Sequence, residues 1–280
     1  MAMLGFKKGI GNVILYGMLV LGVIFFLYPF LFMFLGSFKG NSEIFSVTPT
    51  FLPKNGFQFA NYHTLFSVSQ FSRALLNSAI VSTLYTVCGV AICSMAAFGF
   101  AKYKFPGNKA LFMIMLSTMM LPLQAKMVPL FIVLTNIGWT NTYTALIVPF
   151  LAYPFGIFIM RQFMRTIPND LLDAGRIDGC GDFRLLWLVA FPVSLPAYTV
   201  LGLIMFMSSW NNFLWPLVVI SDKNMFTVPL ALTRLQGLNR SIQYGPILAG
   251  SFLGAIILVV LFLMFQKKFI QGIMAGAIKG

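Results

Sequence analysis

Charge is what this sequence has least of. Only 9% of its 280 residues are charged, against 59% hydrophobic, whereas a water-soluble domain carries about 25% charged residues. Acids are scarcest, with 6 Asp and Glu facing 19 Lys and Arg. There is one histidine, His63, and three cysteines, Cys88, Cys93 and Cys180. One imidazole and thiols without metal-ligand spacing leave a metal centre or a Ser/His/Asp triad almost nothing to use. Cys88 and Cys93 lie in an apolar run and read as small apolar filler. No G-x-x-x-x-G-K-[ST] phosphate loop occurs, so the chain has no ATP site of that type. No metal or cofactor is expected in it.

A mean hydropathy of +0.89 exceeds what a single water-soluble core can hide, and a bilayer is the solvent that tolerates it. The net charge of +13 does not point to nucleic acid, because the cations are scattered at the ends of apolar runs rather than gathered on a soluble module. Six apolar stretches are present, at about 12–35, 73–101, 110–134, 142–163, 185–207 and 246–265. Each is about 20 residues or longer, enough to cross a hydrocarbon core of about 30 Å as a helix. Strand-like alternation is absent, so the expected fold is all-α: a polytopic membrane protein of six transmembrane helices. Residues 1–280 read as a single transmembrane domain, with core spans over about 73–265 and a first span over about 12–35. That first run is too long for a signal-peptide core and reads as an uncleaved span.

The third stretch is interrupted by Pro122, Lys126 and Pro129. Its span should end near Gln124, with a short helix over 127–136 and Lys126 at the membrane interface. With the N-terminus inside, the inner segments hold Lys7, Lys8, Lys102, Lys104, Lys109, Arg161, Arg165, Arg176, Arg184, Lys267, Lys268 and Lys279, and the outer ones hold the remaining seven cations of the 19. The bias places both termini in the cytoplasm.

Four of the six acids, Asp170, Asp173, Asp178 and Asp182, fall in one inner loop. Pro168 suits a first helical turn and Asp170 suits the positive end of the helix dipole. Gly179 and Gly181 are natural stops. The spacing predicts a capped helix of about three turns within 167–180, with Leu171, Ala174, Gly175 and Asp178 on one face. Its small residues let another backbone come close. A helix lying on lipid headgroups is usually basic, and this one is acidic, which favours a protein partner.

The loop resembles the cytoplasmic motif of binding-protein-dependent ABC importers, Glu-Ala-Ala, three residues, Gly, nine residues, Ile-x-Leu-Pro. Here it reads Asp173-Ala174-Gly175, three residues, Gly179, nine residues, Val189-Ala190-Phe191-Pro192. Four further segments are similar to the carbohydrate branch, and most to the second permease of the maltose type: Asn136–Pro149, Pro154–Phe163, Ser209–Leu217 and the tail Gln266–Gly280. The resemblance implies a type I ABC importer permease that pairs with a second homologous permease, two ATPase subunits and an extracytoplasmic sugar-binding protein, in a bacterial cytoplasmic membrane. ATP and Mg would then be bound by the ATPases. It implies that the helix at 167–180 couples ATPase motion to alternating access through Asp173, Ala174, Gly175, Arg176, Asp178, Gly179 and Pro192, with Pro192 as a kink into the fifth span. It also implies that Gly276, Ala277, Lys279 and Gly280 reach between the ATPases.

Two readings of Trp210, Asn211, Asn212 and Trp215 stay open: an interfacial aromatic belt with capping asparagines, or contact with sugar or the docked binding protein. Tyr85, Tyr143 and Tyr153 are further candidates for the pore, and the loop 218–245 for the binding protein. The solute is expected to be a sugar or oligosaccharide, with glycerol phosphate or a polyol as the alternative. A secondary transporter would place acids inside its spans; here the predicted spans hold no Asp or Glu. A membrane enzyme would need acids, histidines or metal ligands that the chain does not have there.

Overall fold

The computed structural model describes residues 2–277 except 49, 55, 69 and 236–241. It is helical, without strands among the described residues. Three helices are long and apolar enough to cross a bilayer unbroken: α1 (Ala2–Gly36), apolar from Asn12 onward, α2 (Phe71–Lys102), and α9 (Tyr244–Ala277), apolar through Ile270. The other three apolar stretches are bent pairs. They are α3 (Asn108–Ser117, continued to Met120 by a tighter turn) with α4 (Leu123–Asn136), α5 (Tyr143–Ile147, continued to Phe150) with α6 (Pro154–Met164), and Asp182–Val193 followed by α8 (Leu195–Trp210). Between the second and third pairs lies α7 (Asn169–Ile177).

The bends measure 99°, 46° and 90°, and prolines set each of them. Leu121 and Pro122 are extended, and α4 begins at Leu123. The break thus comes two to three residues before the Gln124 expected from sequence, and the second arm is one helix of 14 residues that contains Lys126 and Pro129. The fourth stretch was expected to be continuous and is not. Tyr153 precedes Pro154 and is extended, because a residue before proline is pushed out of the helical region. In the fifth, the kink expected at Pro192 falls at Ser194 (φ −95°, ψ 9°). Pro196, in the first turn of α8, cannot continue the helix behind it, since its ring would meet the carbonyl of Pro192. Ahead of the bend, Leu185–Ala190 is π-helical.

Two compact units account for the chain. The smaller comprises Met1–Phe71 with Leu232–Ile256. In it the last turn of α1 packs tightly on α9: a Cβ at Gly36 would stand 2.7 Å from Leu248 Cδ1, and the rings of Phe34 and Phe252 lie 5.0 Å apart. Asn41 ties the following loop to α9 by donating to Ile242 O (2.6 Å) and accepting from Tyr244 N (2.8 Å). Upstream, from Val13 to Phe32, α1 leaves nearly all its apolar side chains uncovered, as a lipid-facing helix does; Phe25 is 75% exposed.

The larger unit comprises Ser72–Ala231 with Ile257–Gly280. Its core runs from Ala74 through Met160, Leu185 and Trp215 to Leu230. Asn77, fully buried, joins three parts of it: Nδ2 donates to the carbonyls of Asn224 (2.8 Å) and Phe226 (2.9 Å), and Oδ1 accepts from Tyr143 Oη (2.7 Å).

Candidate functional site

Helix α7 is the most distinctive polar feature outside the apolar stretches. Thr166 turns the chain by donating Oγ1 to Phe163 O at 2.8 Å. Pro168, extended at ψ 139°, caps the helix rather than opening its first turn, and the helix runs nine residues instead of filling 167–180. Lys102, at the end of α2, grips this entry with Nζ on Ile167 O (2.5 Å) and Asn169 Oδ1 (3.1 Å). At the other end Gly179 takes φ +80°, a left-handed stop as the sequence predicts. The N–H of Gly179 bonds Arg176 O (3.0 Å), and that of Cys180 bonds Gly175 O (2.9 Å). Gly181 departs from expectation: its φ is −72°, and its carbonyl starts the next turn by accepting from Leu185 N.

The two faces of α7 differ sharply. Leu172 and Gly175 are buried. A Cβ on Gly175 would meet Leu185 Cδ2 at 2.7 Å and Val189 Cγ2 at 3.4 Å. The glycine therefore lets α7 lie directly on the π-helical segment of its own chain; it is not on the outward face where the sequence grouped it with Leu171, Ala174 and Asp178, which are exposed. Asp173 and Arg176 also point outward, as an i,i+3 ion pair with Oδ1 and Nη1 2.8 Å apart. Both are about half-exposed, so solvent screening leaves the pair little net stabilisation. Its effect is to hold both side chains in one arrangement. The Tyr103 hydroxyl, then Asp173, raise the Arg176 guanidinium above its ordinary pKa. Tyr103 is itself pushed up, first by burial and then by Asp182.

Ile177, at the tip, is 88% exposed. It was not picked out from the sequence, although a single β-branched apolar residue between Arg176 and Asp178 is the available signal. Buried anchors on one side and a solvent-facing Leu171, Ala174 and Ile177 framed by a charge pair on the other make a surface suited to a protein socket. Pro192 is exposed and two residues from the bend that follows this segment.

A second feature lies where the broken helices come together. The first two breaks, at 121–123 and 150–154, and the far end of α8 border a cavity of about 480 Å³ lined by Tyr85, Thr118, Lys126, Tyr153, Ser209 and Asn212 among others. Of the segment Trp210–Trp215, Asn212 reaches this cavity, while Asn211 is exposed. Both tryptophans are interior. Trp215 has no exposed surface, donates Nε1 to Ala145 O at 2.8 Å and meets the Phe150 ring edge-on. Trp210 is 3% exposed and stacks on Phe206. An aromatic belt and an indole–sugar contact both require exposed rings, so these tryptophans form neither within this chain. Tyr85 and Tyr153 face the cavity as the sequence suggests; Tyr143 instead spends its hydroxyl on Asn77. Lys126, expected at an interface, borders the cavity.

Gly276 and Ala277 fall in the last turn of α9, and Lys279 and Gly280 lie outside the described residues, as does 236–241 of the loop 218–245.

Comparison with known proteins bears on both features. Residues 89–271, which contain α7 and most of the cavity wall, match the family described as the inner membrane component of binding-protein-dependent transport systems. The arabinooligosaccharides transport system permease protein AraQ of Bacillus subtilis (strain 168) is 35% identical over 257 residues, 91% of each chain. The trehalose/maltose transport system permease protein MalG of Thermococcus litoralis (strain ATCC 51850 / DSM 5473 / JCM 8560 / NS-C) is 32% identical over 93% of this chain and 94% of its own. In fold, the chain superposes with a TM-score of 0.80 on a chain of a bacterial ABC transporter involved in the import of the acidic polysaccharide alginate, at 22% identity over 93% of this chain and 96% of that one. The chain therefore belongs to the family of inner membrane components of binding-protein-dependent transport systems and is a transport permease subunit.

Proposed function

We propose that this chain is one of two permeases in an ATP-driven oligosaccharide importer of a bacterial cytoplasmic membrane, and that α7 carries force into it from an ATPase subunit. The observation that carries the proposal is the two-sidedness of α7: its inner face is locked to Leu185 and Val189, and its outer face offers Leu171, Asp173, Ala174, Arg176 and Ile177. A lever needs both a rigid root and a free contact surface. Here the root joins, through Leu185–Ala190 and the 90° bend at Ser194, to α8, whose Ser208 and Ser209 line the cavity. A push on α7 thus reaches the cavity wall within about 35 residues of chain. ATP and Mg belong to the ATPase subunits, a second permease completes the path, and a binding protein delivers solute from outside. Both termini are cytoplasmic in this arrangement.

Oligosaccharide is favoured as solute by the arabinooligosaccharide and trehalose/maltose systems named for two relatives. The cavity's hydroxyls and amide, from Tyr85, Thr118, Ser209 and Asn212, suit hydroxylated solute passing through. They offer hydrogen bonds of about 1 kcal/mol each, strong enough to replace water and weak enough to release.

Asp173→Lys tests the lever. It removes the partner of Arg176 and sets two like charges three residues apart. In the reconstituted transporter, sugar uptake should fall at least about tenfold, the equivalent of 1.4 kcal/mol, while the ATPase subunits still copurify and hydrolyse ATP. Uptake at the unsubstituted rate contradicts the role of α7. A screen of oligosaccharides, polyols and glycerol phosphate for stimulation of that ATPase identifies the solute.

A further inference from the structure

Four cations converge where nothing in the mechanism above uses them. Lys104, from the loop leading into α3, Lys109, in the first turn of α3, and Arg161 and Arg165, from the end of α6, border an open pocket of about 870 Å³. The pocket lies at the same end of the helices as α7, since Lys102, two residues before Lys104, holds the entry to α7. Among the described residues no carboxylate pairs with any of the four; Asp173 pairs with Arg176 instead. Arg161 and Arg165 are close enough to repel each other, and Arg161 is fixed in place regardless. Its Nε donates to Phe100 O at 3.2 Å, and its guanidinium carbon lies 4.0 Å over the Phe112 ring. A cation held in place beside a like charge favours the approach of an anion.

The pocket floor adds a second, independent element. Gly107, at φ +82°, opens α3 without a side-chain cap, and the Asn108 amide is turned away onto Tyr103 O (2.9 Å). The Asn108 N–H is taken by Phe105 O (3.2 Å) and the Leu111 N–H by Gly107 O (2.8 Å), so the positive end of this ten-residue helix, at the pocket-lining Lys109 and Ala110, adds to the cationic rim. Phe105 and Met113 supply apolar wall beside the charges. Cationic rim, helix N-terminus and apolar wall together match a phosphate carried on acyl chains better than a soluble anion or an acidic protein segment, neither of which needs the apolar wall.

We propose that this pocket binds the phosphate headgroup of an anionic phospholipid, phosphatidylglycerol or cardiolipin, from the surrounding leaflet. The charge density is that of basic pockets between membrane helices at the cytoplasmic face, where each cation near the surface strengthens binding about fivefold. The site does not depend on which solute is carried.

The test is native mass spectrometry of the full chain, released from nanodiscs of phosphatidylethanolamine containing a minor fraction of phosphatidylglycerol or cardiolipin. The unsubstituted chain should retain anionic lipid selectively, and Lys109→Gln with Arg165→Gln, both at exposed side chains, should weaken retention about 25-fold. Arg161→Lys, which keeps charge but loses the planar stack, should weaken it less. Equal retention in the double variant, or no preference over phosphatidylethanolamine, overturns the proposal. Displacement of the lipid by millimolar inorganic phosphate overturns it in favour of a free-anion site. Unchanged lipid retention in the double variant, when the same variant co-expressed with its transport system loses a copurifying subunit, overturns it in favour of an acidic protein contact.

Discussion

At the residue scale the account rests on a few side chains with no alternative place to go. Gly175 is one, because its missing Cβ is where Leu185 sits. Gly175→Ala asks only the end of a leucine to move and should be mildly disruptive. Gly175→Val adds two methyls against Leu185 and Val189 and should lift α7 off its root, costing about 1–3 kcal/mol. Thermal unfolding in detergent measures both, and equal midpoints for the two would contradict the packing. Gly179 fails differently. Space around it is open, but φ +80° is unfavourable for any side chain with a Cβ, so Gly179→Val should be destabilising by strain alone, about 1–2 kcal/mol. Asn77 is the third. Replacing it with Leu removes three hydrogen bonds at once, those given to Phe226 O and to Asn224 O, which keeps the longer bond from Arg73 Nε (3.4 Å), and the one accepted from the Tyr143 hydroxyl. Each costs about 1–3 kcal/mol, so Asn77→Leu should sharply reduce the yield of folded, monodisperse protein on gel filtration. Folding at the unsubstituted level would mean that water replaces all three bonds.

At the element scale the bends decide what each apolar stretch does. Length and composition alone made all six stretches legible, as did a capped helix between the fourth and fifth, because both signals are local: about 20 apolar residues, and Pro168 before Asp170 with Gly179 behind. The bends were half legible. Prolines 122, 154, 192 and 196 are plain in the sequence, yet the hinge at Ser194 depends on which of two prolines fails to extend its helix, and that is a matter of tertiary fit. The facing of α7 was misjudged for the same reason. A small residue permits close approach, and sequence does not say whose backbone approaches. Trp215 was likewise unreadable, since an indole near a helix end looks interfacial until Ala145 O is found beneath it. Ser194 gives the element-scale prediction. Ser194→Pro removes the N–H that Ser194 gives to Ala190 O at 3.0 Å and stiffens the hinge. Transport should fall while α7 still binds the ATPase, read as uptake against subunit copurification; unchanged uptake would show that the bend at 194 does not move.

At the scale of the whole molecule, the chain joins the exposed outer face of α7 to a polar cavity through one bent segment, 169–212, within the larger compact unit. Its residues carry no acid within the apolar stretches and no phosphate loop, which fits the proposal that the energy for transport arrives by contact. The contact is most exposed at Ile177. With Ile177→Cys as the only reactive cysteine in a chain co-expressed with its transport system, thiol crosslinking in intact membranes should yield an adduct with a nucleotide-hydrolysing subunit. Its yield should change when ATP is bound. Recovery of the assembled complex with no such adduct, from Ile177 or from Ala174 beside it, would contradict the claim that force enters through α7.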